Sequence, residues 1–116
     1  MTKSTDASSF LPLNTPYHHV LLGLARGPLH GYAIMQAVEE RTGGVATILP
    51  GTLYTTLNRM LASGLVEESA APADEPGDER RRRYYAITPL GREVLPAETR
   101  RLSVLVELAE RELKGA

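Results

Sequence analysis

The feature that most constrains the fold is a change of period at Gly64. Before it, apolar residues recur at intervals of three and four, which predicts helices. Beyond it, "LVEES" and "RYYAIT" are short β-prone segments, separated by the Pro/Gly/acid-rich insert "AAPADEPGDERR". These two segments predict a β-hairpin with a long loop. Thr88-Pro89 then begins another helix, which extends to Lys114. The chain is therefore predicted to be mainly α with a small β-hairpin.

Three helices are predicted before Gly64, with bounds set by caps and breakers. The first helix is predicted to begin at Thr15 (N-cap) and Pro16 and to end at Gly27-Pro28. The second begins near His30 and ends at Gly43-Gly44, and the third begins at Pro50 and ends at Gly64. Between the second and third helices, "VATIL" is rich in β-branched residues and is predicted to form a brief strand.

Three helices followed by a hairpin is the order of a winged helix-turn-helix, in which the third helix enters the DNA major groove and the hairpin is the wing. We place this domain at residues 14–88. Residues 1–13, small and polar without periodicity, are predicted to be a flexible tail. Residues 89–116 are predicted to form a C-terminal dimerisation helix.

The C-terminal helix carries more apolar residues than packing on one small domain requires. Leu95, Leu102, Leu105 and Ala109 fall close to a heptad spacing. A second apolar stripe contains Val94, Val104 and Leu108. Together the stripes predict self-association, with Leu95, Leu102, Leu105, Leu108 and Ala109 as the dimerisation residues. Pro96 falls within this helix and lacks a backbone N–H, so we expect a kink or break there.

Composition limits the classes of function. The chain has 116 residues, enough for one domain, and its net charge is −1, so binding to a polyanion must come from local clustering. No cysteine is present, which excludes disulfides and thiolate metal sites. The longest apolar run, "VLLGLA", is too short to span a membrane, and no signal peptide is evident, so we expect a cytoplasmic protein.

No pattern in the sequence indicates catalysis. His18, His19 and His30 lack the spacing of metal ligands, and the serines lack the context of a nucleophile elbow. We therefore predict a protein that is not an enzyme and needs no metal or cofactor.

The third helix has two chemically different faces. Its apolar face should lie in the core, through Leu53, Leu57, Met60 and Leu61. The opposite face collects Thr52, Thr55, Asn58, Arg59 and Ala62, flanked by Tyr54 and Thr56. An ordinary exposed helix would carry Glu and Lys here, but no acidic residue occurs from Thr47 to Leu65. This pattern favours contact with nucleic acid.

Three stretches resemble the PadR family of bacterial transcriptional regulators. "LHGYAIMQAVEERTGG" is similar to the family's His-Gly-Tyr second helix, and "PGTLYTTLNRMLASGLVEE" to its Pro-Gly-x-Leu-Tyr recognition helix. "RRRYYAITPLGREVL" resembles its returning wing strand and following helix. The three matches occur in the family's order and cover roughly Tyr17 to Leu95.

The resemblance implies a homodimeric repressor of the compact branch, with a single C-terminal helix, bound to a pseudo-palindromic operator on double-stranded DNA. It also implies release by a small hydrophobic or phenolic effector. By motif, Thr52 and Tyr54 would contact DNA and Tyr32 would lie near phosphates, although Tyr32 has core packing as an alternative. The full set predicted to bind DNA is Tyr32, Gly51, Thr52, Tyr54, Thr55, Asn58, Arg59, Arg80, Arg81, Arg82 and Arg83.

The arginine run "RRRR" follows an acidic stretch. On a regular strand Arg80 and Arg82 would point to one side and Arg81 and Arg83 to the other, so at most two face one row of phosphates. The others would pair with nearby carboxylates, namely Asp74, Glu75, Asp78 or Glu79. We expect a wing that is nearly neutral when free.

Two hypotheses stay open. An apolar effector pocket would be lined by Tyr17, Val20, Leu24, Leu102 and Leu105. The alternative function is a winged-helix module that binds a protein and not DNA. Loss of affinity with added salt would distinguish a DNA binder from such a module.

Overall fold

Four helices and three short strands make up the fold. A computed structural model describes residues 6–75, 77 and 81–115. The helices are α1 (Thr15–Leu24), α2 (Gly31–Arg41), α3 (Pro50–Ser63) and α4 (Pro89–Gly115). The strands are β1 (Leu29–His30), β2 (Val66–Ser69) and β3 (Tyr84–Ile87). Among the described residues, no helix is both long enough and apolar enough to cross a membrane.

Side chains and glycine cap the first three helices. The Asn14 side chain accepts a hydrogen bond from the Tyr17 N–H at 3.0 Å, so Asn14 is the N-cap of α1. Thr15, predicted to be that cap, is instead the first helical residue. His30 Nδ1 accepts from the Ala33 N–H at 3.1 Å and caps α2. Gly64, with φ of 83°, ends α3 in the left-handed conformation predicted for it.

The predicted hairpin is confirmed, and a third strand joins it. The sheet has the order β1-β3-β2, with both pairs antiparallel. In the register of β1 with β3, Leu29 lies opposite Tyr85 and His30 opposite Tyr84. The end of the α1–α2 connection is thereby joined to the wing, which is defined here as β2, β3 and the loop between them.

The strand predicted for "VATIL" is wrong, because no strand forms at residues 45–49. The Thr42 hydroxyl accepts from the Ala46 N–H at 3.0 Å and lies 3.2 Å from the Ala46 carbonyl oxygen. The bond from the Ala46 N–H closes a turn and takes this donor away from a neighbouring strand, while the Thr42 hydroxyl hydrogen has a closer acceptor in the Val38 carbonyl oxygen at 2.9 Å. Val45 and Leu49 are exposed as a result.

The core lies between the first three helices, the sheet and the start of α4. Its fully buried side chains are Val20, Leu21, Leu24, Ile34, Leu53, Leu57, Met60, Leu65 and Val94. The close approach of α4 requires glycine, because a Cβ at Gly91 would lie 2.5 Å from the Leu65 carbonyl oxygen. The Thr88 hydroxyl, 2.6 Å from the Gly64 carbonyl oxygen, fixes the start of α4 and accepts from the Gly91 N–H.

α4 is one helix from Pro89 to Gly115, so the break expected near Pro96 is not observed. Pro96 removes one donor from the helix and leaves the Arg92 carbonyl without its usual partner. Both residues are exposed, and water can reach that side of the helix. The helix therefore continues without a buried, unpaired carbonyl group.

The segment before α1 packs on α4 and is not a free tail. Residues Ala7–Phe10 form a 3-10 turn that contacts α4. Leu13 is buried in the core, and Phe10 and Leu11 pack against it. Burial of these apolar side chains favours the attached state. The rest of the predicted tail, residues 1–5, lies outside the described residues.

Candidate nucleic-acid interface

The two faces of α3 are separated as its sequence predicts. Leu53, Leu57 and Met60 are fully buried, whereas the polar side is open to solvent. We define the reading face as its exposed residues Gly51, Thr52, Tyr54, Thr55, Asn58 and Arg59. Thr56, predicted to flank this face, is only 6% exposed and lies in the core. The reading face therefore presents hydroxyls, one amide and one guanidinium, with no carboxylate.

Tyr54 links α3 to the start of α2. A Cβ at Gly31 would lie 2.3 Å from the Tyr54 hydroxyl oxygen and 2.8 Å from the ring carbon that carries it. Only glycine leaves room for this packing, since any other residue at position 31 would displace the ring. Tyr54 is nevertheless 45% exposed, so one part of its ring holds the two helices together and another part faces solvent.

Tyr32 lies at the surface, at the start of α2. It is 52% exposed, which rules out the alternative that it packs in the core. Its ring is parallel to that of His30, with centroids 6.5 Å apart, and His30 meets Tyr84 edge to face at 5.4 Å. The Arg82 guanidinium carbon lies 5.9 Å from the Tyr32 centroid, within cation–π range. A wing arginine and an α2 tyrosine therefore form one exposed cluster.

The wing arginines have different surroundings. Arg83 donates to Glu68 on the facing strand at 2.6 Å, and its guanidinium carbon is 5.5 Å from the Tyr85 centroid. The hydrogen bond from Arg83 lowers the pKa of Glu68. Both partners are more than half exposed, so the pair contributes little to stability. Arg81 is exposed and forms no ion pair within the described part of the chain.

Two expectations for the arginine run change. The described arginines precede β3, which begins at Tyr84, so the alternation of a regular strand does not govern their directions. The carboxylate that pairs with Arg83 is Glu68, outside the acidic insert where it was predicted. Arg80, Asp78 and Glu79 lie outside the described residues.

A shallow groove adjoins the reading face at the start of α1. Its volume is about 310 Å³, and it is lined by Asn14, Pro16, Tyr17, Gly51, Thr52, Thr55, Thr56 and Arg59. Tyr17, predicted to bind an effector, therefore lies beside the α3 residues. A molecule that occupies the reading face would also meet the start of α1.

The five residues predicted to line an effector pocket do not come together. Val20 and Leu24 are fully buried in the core, and Tyr17 lies beside α3. Leu102 lines a different groove of about 550 Å³ between α1 and α4, with His18, Leu22, Thr99, Ser103, Val106 and Glu107. Burial lowers the pKa of His18, and the nearby Glu98 carboxylate partly opposes this effect. The groove is mostly apolar and favours an apolar ligand.

The residues predicted for dimerisation lie along most of α4. Leu95 packs against the core of its own domain, and Leu102 is half-buried. We define the arm as the part of α4 from Thr99 to Gly115, where Leu105, Leu108 and Ala109 are exposed. Other large apolar residues exposed on the arm are Val104, Val106 and Leu113. An apolar helix surface of this length lacks a partner within the described chain.

The sequence did not predict that Leu49 is an exposed apolar residue at the start of α3. This residue is 70% exposed and immediately precedes α3, where it provides no side-chain cap. Because it is apolar, it was included in the predicted strand, although its position directly before Pro50 already indicated the start of a helix.

In the described part of the chain, no group of three or more His, Asp or Glu side chains is arranged to hold a metal ion.

Comparison with known proteins decides the family. The sequence model of the transcriptional regulator PadR-like family matches residues 20–97. The chain belongs to this family. The membership predicted from the three motifs is confirmed, and PadR-like proteins are transcriptional regulators and not enzymes.

Two relatives carry similar sequence. Transcriptional regulator Rv3488 of Mycobacterium tuberculosis is 36% identical over 97 residues, which cover 84% of this chain and 81% of that protein. An uncharacterized 37.1 kDa protein in transposon TN4556 of Streptomyces fradiae is 43% identical over 86 residues, or 74% of this chain. The chain spans only 22% of that second relative.

Solved structures show the same PadR-like fold. A PadR family transcription regulator from Clostridium difficile R20291 superposes with a TM-score of 0.72 at 23% identity, covering 86% of this chain and 99% of that one. Bacillus subtilis PadR in complex with operator DNA gives a TM-score of 0.61 at 21% identity, covering 74% of this chain and 47% of that one. The predicted winged-helix fold with a C-terminal helix is confirmed by these likenesses.

Proposed function

We propose that this PadR-like protein is a cytoplasmic transcriptional repressor that binds a pseudo-palindromic operator as a homodimer. The observation that carries the proposal is the reading face of α3, which is exposed, polar and free of acidic residues in a chain of net charge −1. Such a surface suits a polyanion, because carboxylates there would repel phosphates. The solved complex of Bacillus subtilis PadR with operator DNA supports the same use of this fold.

The reading face divides by chemistry into base readers and phosphate contacts. Asn58 and Arg59 have the groups that pair in the major groove with adenine and guanine edges, and Thr52 and Thr55 suit either base. Tyr54 and the backbone at Gly51 would hold phosphates. Base contacts specify sequence, whereas phosphate contacts fix register, so the two groups should respond differently to substitution.

The cluster of Tyr32 and Arg82 would contact a DNA phosphate beside the major groove. Both side chains are exposed, and their contact joins the start of α2 to the root of the wing. Arg81 is exposed and forms no ion pair with the residues that the structure describes, while Arg83 would first have to leave Glu68. That ion pair is exposed and weak enough for a phosphate to displace the carboxylate.

Dimerisation would bury the apolar surface of the arm. A two-fold dimer uses the same patch on both copies, and the exposed leucines and valines of the arm provide one. A small hydrophobic effector would enter the groove of about 550 Å³ between α1 and α4, which adjoins the arm. Its occupancy would change how α4 sits on the domain and so release the operator.

A salt series on labelled duplex DNA tests DNA binding directly. The affinity should fall with a log–log slope of about −0.9 for each phosphate neutralised. Arg59→Ala should weaken binding, whereas Arg92→Ala, an exposed arginine of α4 outside the reading face, the wing and the arm, is the matched control and should not. Absent or salt-insensitive binding would instead support the alternative of a winged-helix module that holds a protein.

A further inference from the structure

Glu98 marks the point where α4 leaves the domain. It is 1% exposed, although it carries a carboxylate. Val94, one turn earlier, is also buried, but none of the described residues after Glu98 is. A charged residue is therefore the last buried contact between α4 and its own domain.

The Glu98 carboxylate connects three parts of the molecule. Arg101 donates to it twice, from Nε to Oε1 and from a terminal nitrogen to Oε2, both at 2.7 Å. The backbone of Leu13, directly before the N-cap of α1, also donates to it. His18 on α1 lies near enough for its charge to act on Glu98. The hydrogen bonds from Arg101 lower the pKa of Glu98, and burial opposes this shift.

Stability alone does not explain a carboxylate at this position. Removing a carboxylate from water costs free energy, and well-packed apolar residues often replace buried ion pairs with no loss of stability. Hydrogen bonds differ from apolar contacts in being directional. The Glu98 carboxylate therefore fixes an orientation between the start of α1 and the start of the arm, which apolar packing alone would define less sharply.

Because the arm is long, a small change in this orientation causes a large displacement of its far end. From Thr99 to Gly115 the arm is about 25 Å long at ~1.5 Å per residue. A tilt of about 10° at Glu98 would move the far end by about 4 Å, close to the ~3.4 Å rise of one base pair. In a dimer joined through the arms, the angle at Glu98 would thus set the distance between the two reading faces.

We propose that Glu98 is a positioning residue that fixes the angle of the arm and so sets the half-site spacing that the dimer accepts. The inference rests on the proposed function of a dimer that binds DNA. It assigns to Glu98 a role in spacing that is separate from base recognition, which belongs to α3.

A distance measurement without DNA tests the fixed angle. The chain has no cysteine, so Ala62→Cys on the exposed side of α3 provides one spin-label site per protomer. Double electron–electron resonance on the wild-type dimer should give a narrow distribution of label distances. Glu98→Gln should broaden the distribution at least about twofold, whereas Glu93→Gln, which changes an exposed carboxylate of α4 outside the arm and the groove, should leave it unchanged.

A spacing series on DNA tests the consequence. Duplexes with identical half-sites separated in steps of one base pair should show a single preferred spacing for wild type. Glu98→Gln should lower the ratio between the best and neighbouring spacings about fivefold or more, with affinity for a single half-site unchanged. Arg101→Lys keeps the charge but not the paired hydrogen bonds, and it should give an intermediate loss if Glu98→Gln does not fold.

The outcomes separate the two proposals. Folded Glu98→Gln or Arg101→Lys protein with a narrow distance distribution and wild-type spacing preference would overturn the role of Glu98. If the wild type binds no duplex but the variants give broadened distance distributions, the fixed angle would be supported and the proposed DNA binding would be overturned. A wild-type dimer whose own distance distribution is as broad as that of the variants would also overturn the positioning role.

Discussion

Two helix surfaces of this protein are open to solvent, and they have opposite chemistry. The reading face of α3 carries threonines, an asparagine, a tyrosine and an arginine, whereas the arm of α4 exposes leucines and valines. Neither surface is explained by packing within one domain. A polar face without carboxylates suits a polyanion, and a long apolar face suits a second apolar surface.

This contrast suits the two surfaces to two different partners, and Glu98 lies between them. α3 would determine which bases are read, and the arm would determine how far apart the two readings occur. Substitutions of the exposed leucines and valines of the arm should therefore change assembly and spacing, and substitutions on the reading face of α3 should change base preference. Substitutions at Leu105, Arg59 and Arg81 test that separation.

The largest effect is expected on the arm. Leu105→Asp places a charge on the apolar surface, and its burial in a dimer would cost several kcal/mol. The dimer dissociation constant should rise about 100-fold or more, with a parallel loss of affinity for a two-half-site operator. Analytical ultracentrifugation measures the first quantity. Arg100→Asp, about 140° away around the helix at ~100° per residue, is the control and should stay dimeric.

The next effect concerns the support of the reading face. Gly31→Ala places a Cβ against the Tyr54 hydroxyl, which must move. Overpacking of this kind costs about 1–3 kcal/mol in the free energy of unfolding, and operator affinity should fall further because Tyr54 is displaced. Gly23→Ala, whose Cβ would meet the Ile34 side chain at an ordinary 3.7 Å, is the matched control. Equal stability and equal DNA affinity of the two variants would contradict the packing described for Tyr54.

Much of the fold could be predicted because its signals are local. Pro50 and Gly64 define α3, and Thr88-Pro89 begins α4, through caps that a few neighbouring residues determine. β1 could not be predicted in this way, since Leu29 and His30 become a strand only by pairing with Tyr85 and Tyr84, far along the chain. The attachment of the N-terminal segment could not be predicted for the same reason, because the Leu13 backbone forms a hydrogen bond with Glu98, which is far along the chain.

The candidate site could be predicted in part. Periodicity separates the two faces of α3, and the motif resemblance points to Tyr32 and Tyr54. Periodicity could not show that Gly31 makes room for Tyr54, or that Arg83 prefers Glu68 to the acidic insert. These contacts depend on how α2, α3 and the wing meet in space, and no local pattern in the sequence encodes that arrangement.

A smaller effect separates base reading from phosphate binding. Arg59→Ala should cost about 1–3 kcal/mol in operator affinity and relax the preference at one base position. Arg81→Ala should weaken binding to all sequences alike and reduce the salt slope by about 1. Fluorescence anisotropy on matched and substituted duplexes measures both. Unchanged operator affinity of Arg59→Ala would remove Arg59 from the reading face.

The smallest effect is the dependence of stability on pH at the junction. The pKa of Glu98 is lowered from 4.5, so its contribution is full above pH 4.5 and is lost as the pH falls through the lowered value. Glu98→Gln should reduce the free energy of unfolding by about 1 kcal/mol at pH 7, and this difference should shrink below pH 4.5. Urea unfolding at several pH values measures it. A difference that stays constant down to pH 3 would contradict a carboxylate stabilised by Arg101.

His18 adds a second acid-sensitive step with the same sign. Burial lowers its pKa below 6.5, so the folded state binds its proton less readily than the unfolded state. Stability should therefore decrease as the pH falls below about 6.5 toward the lowered value. His18→Gln should remove this step while leaving the step below pH 4.5 in place, which unfolding curves measured between pH 5 and pH 7.5 can resolve.

Selection of binding sites from random duplexes with the purified protein measures base preference and half-site spacing together, so it tests the roles of α3 and the arm in one experiment. We expect an enriched two-fold symmetric motif whose half-site centres lie about 10–10.5 base pairs apart, or a multiple of that distance. Failure to enrich any sequence, or enrichment of a single half-site with no symmetric partner, would contradict it.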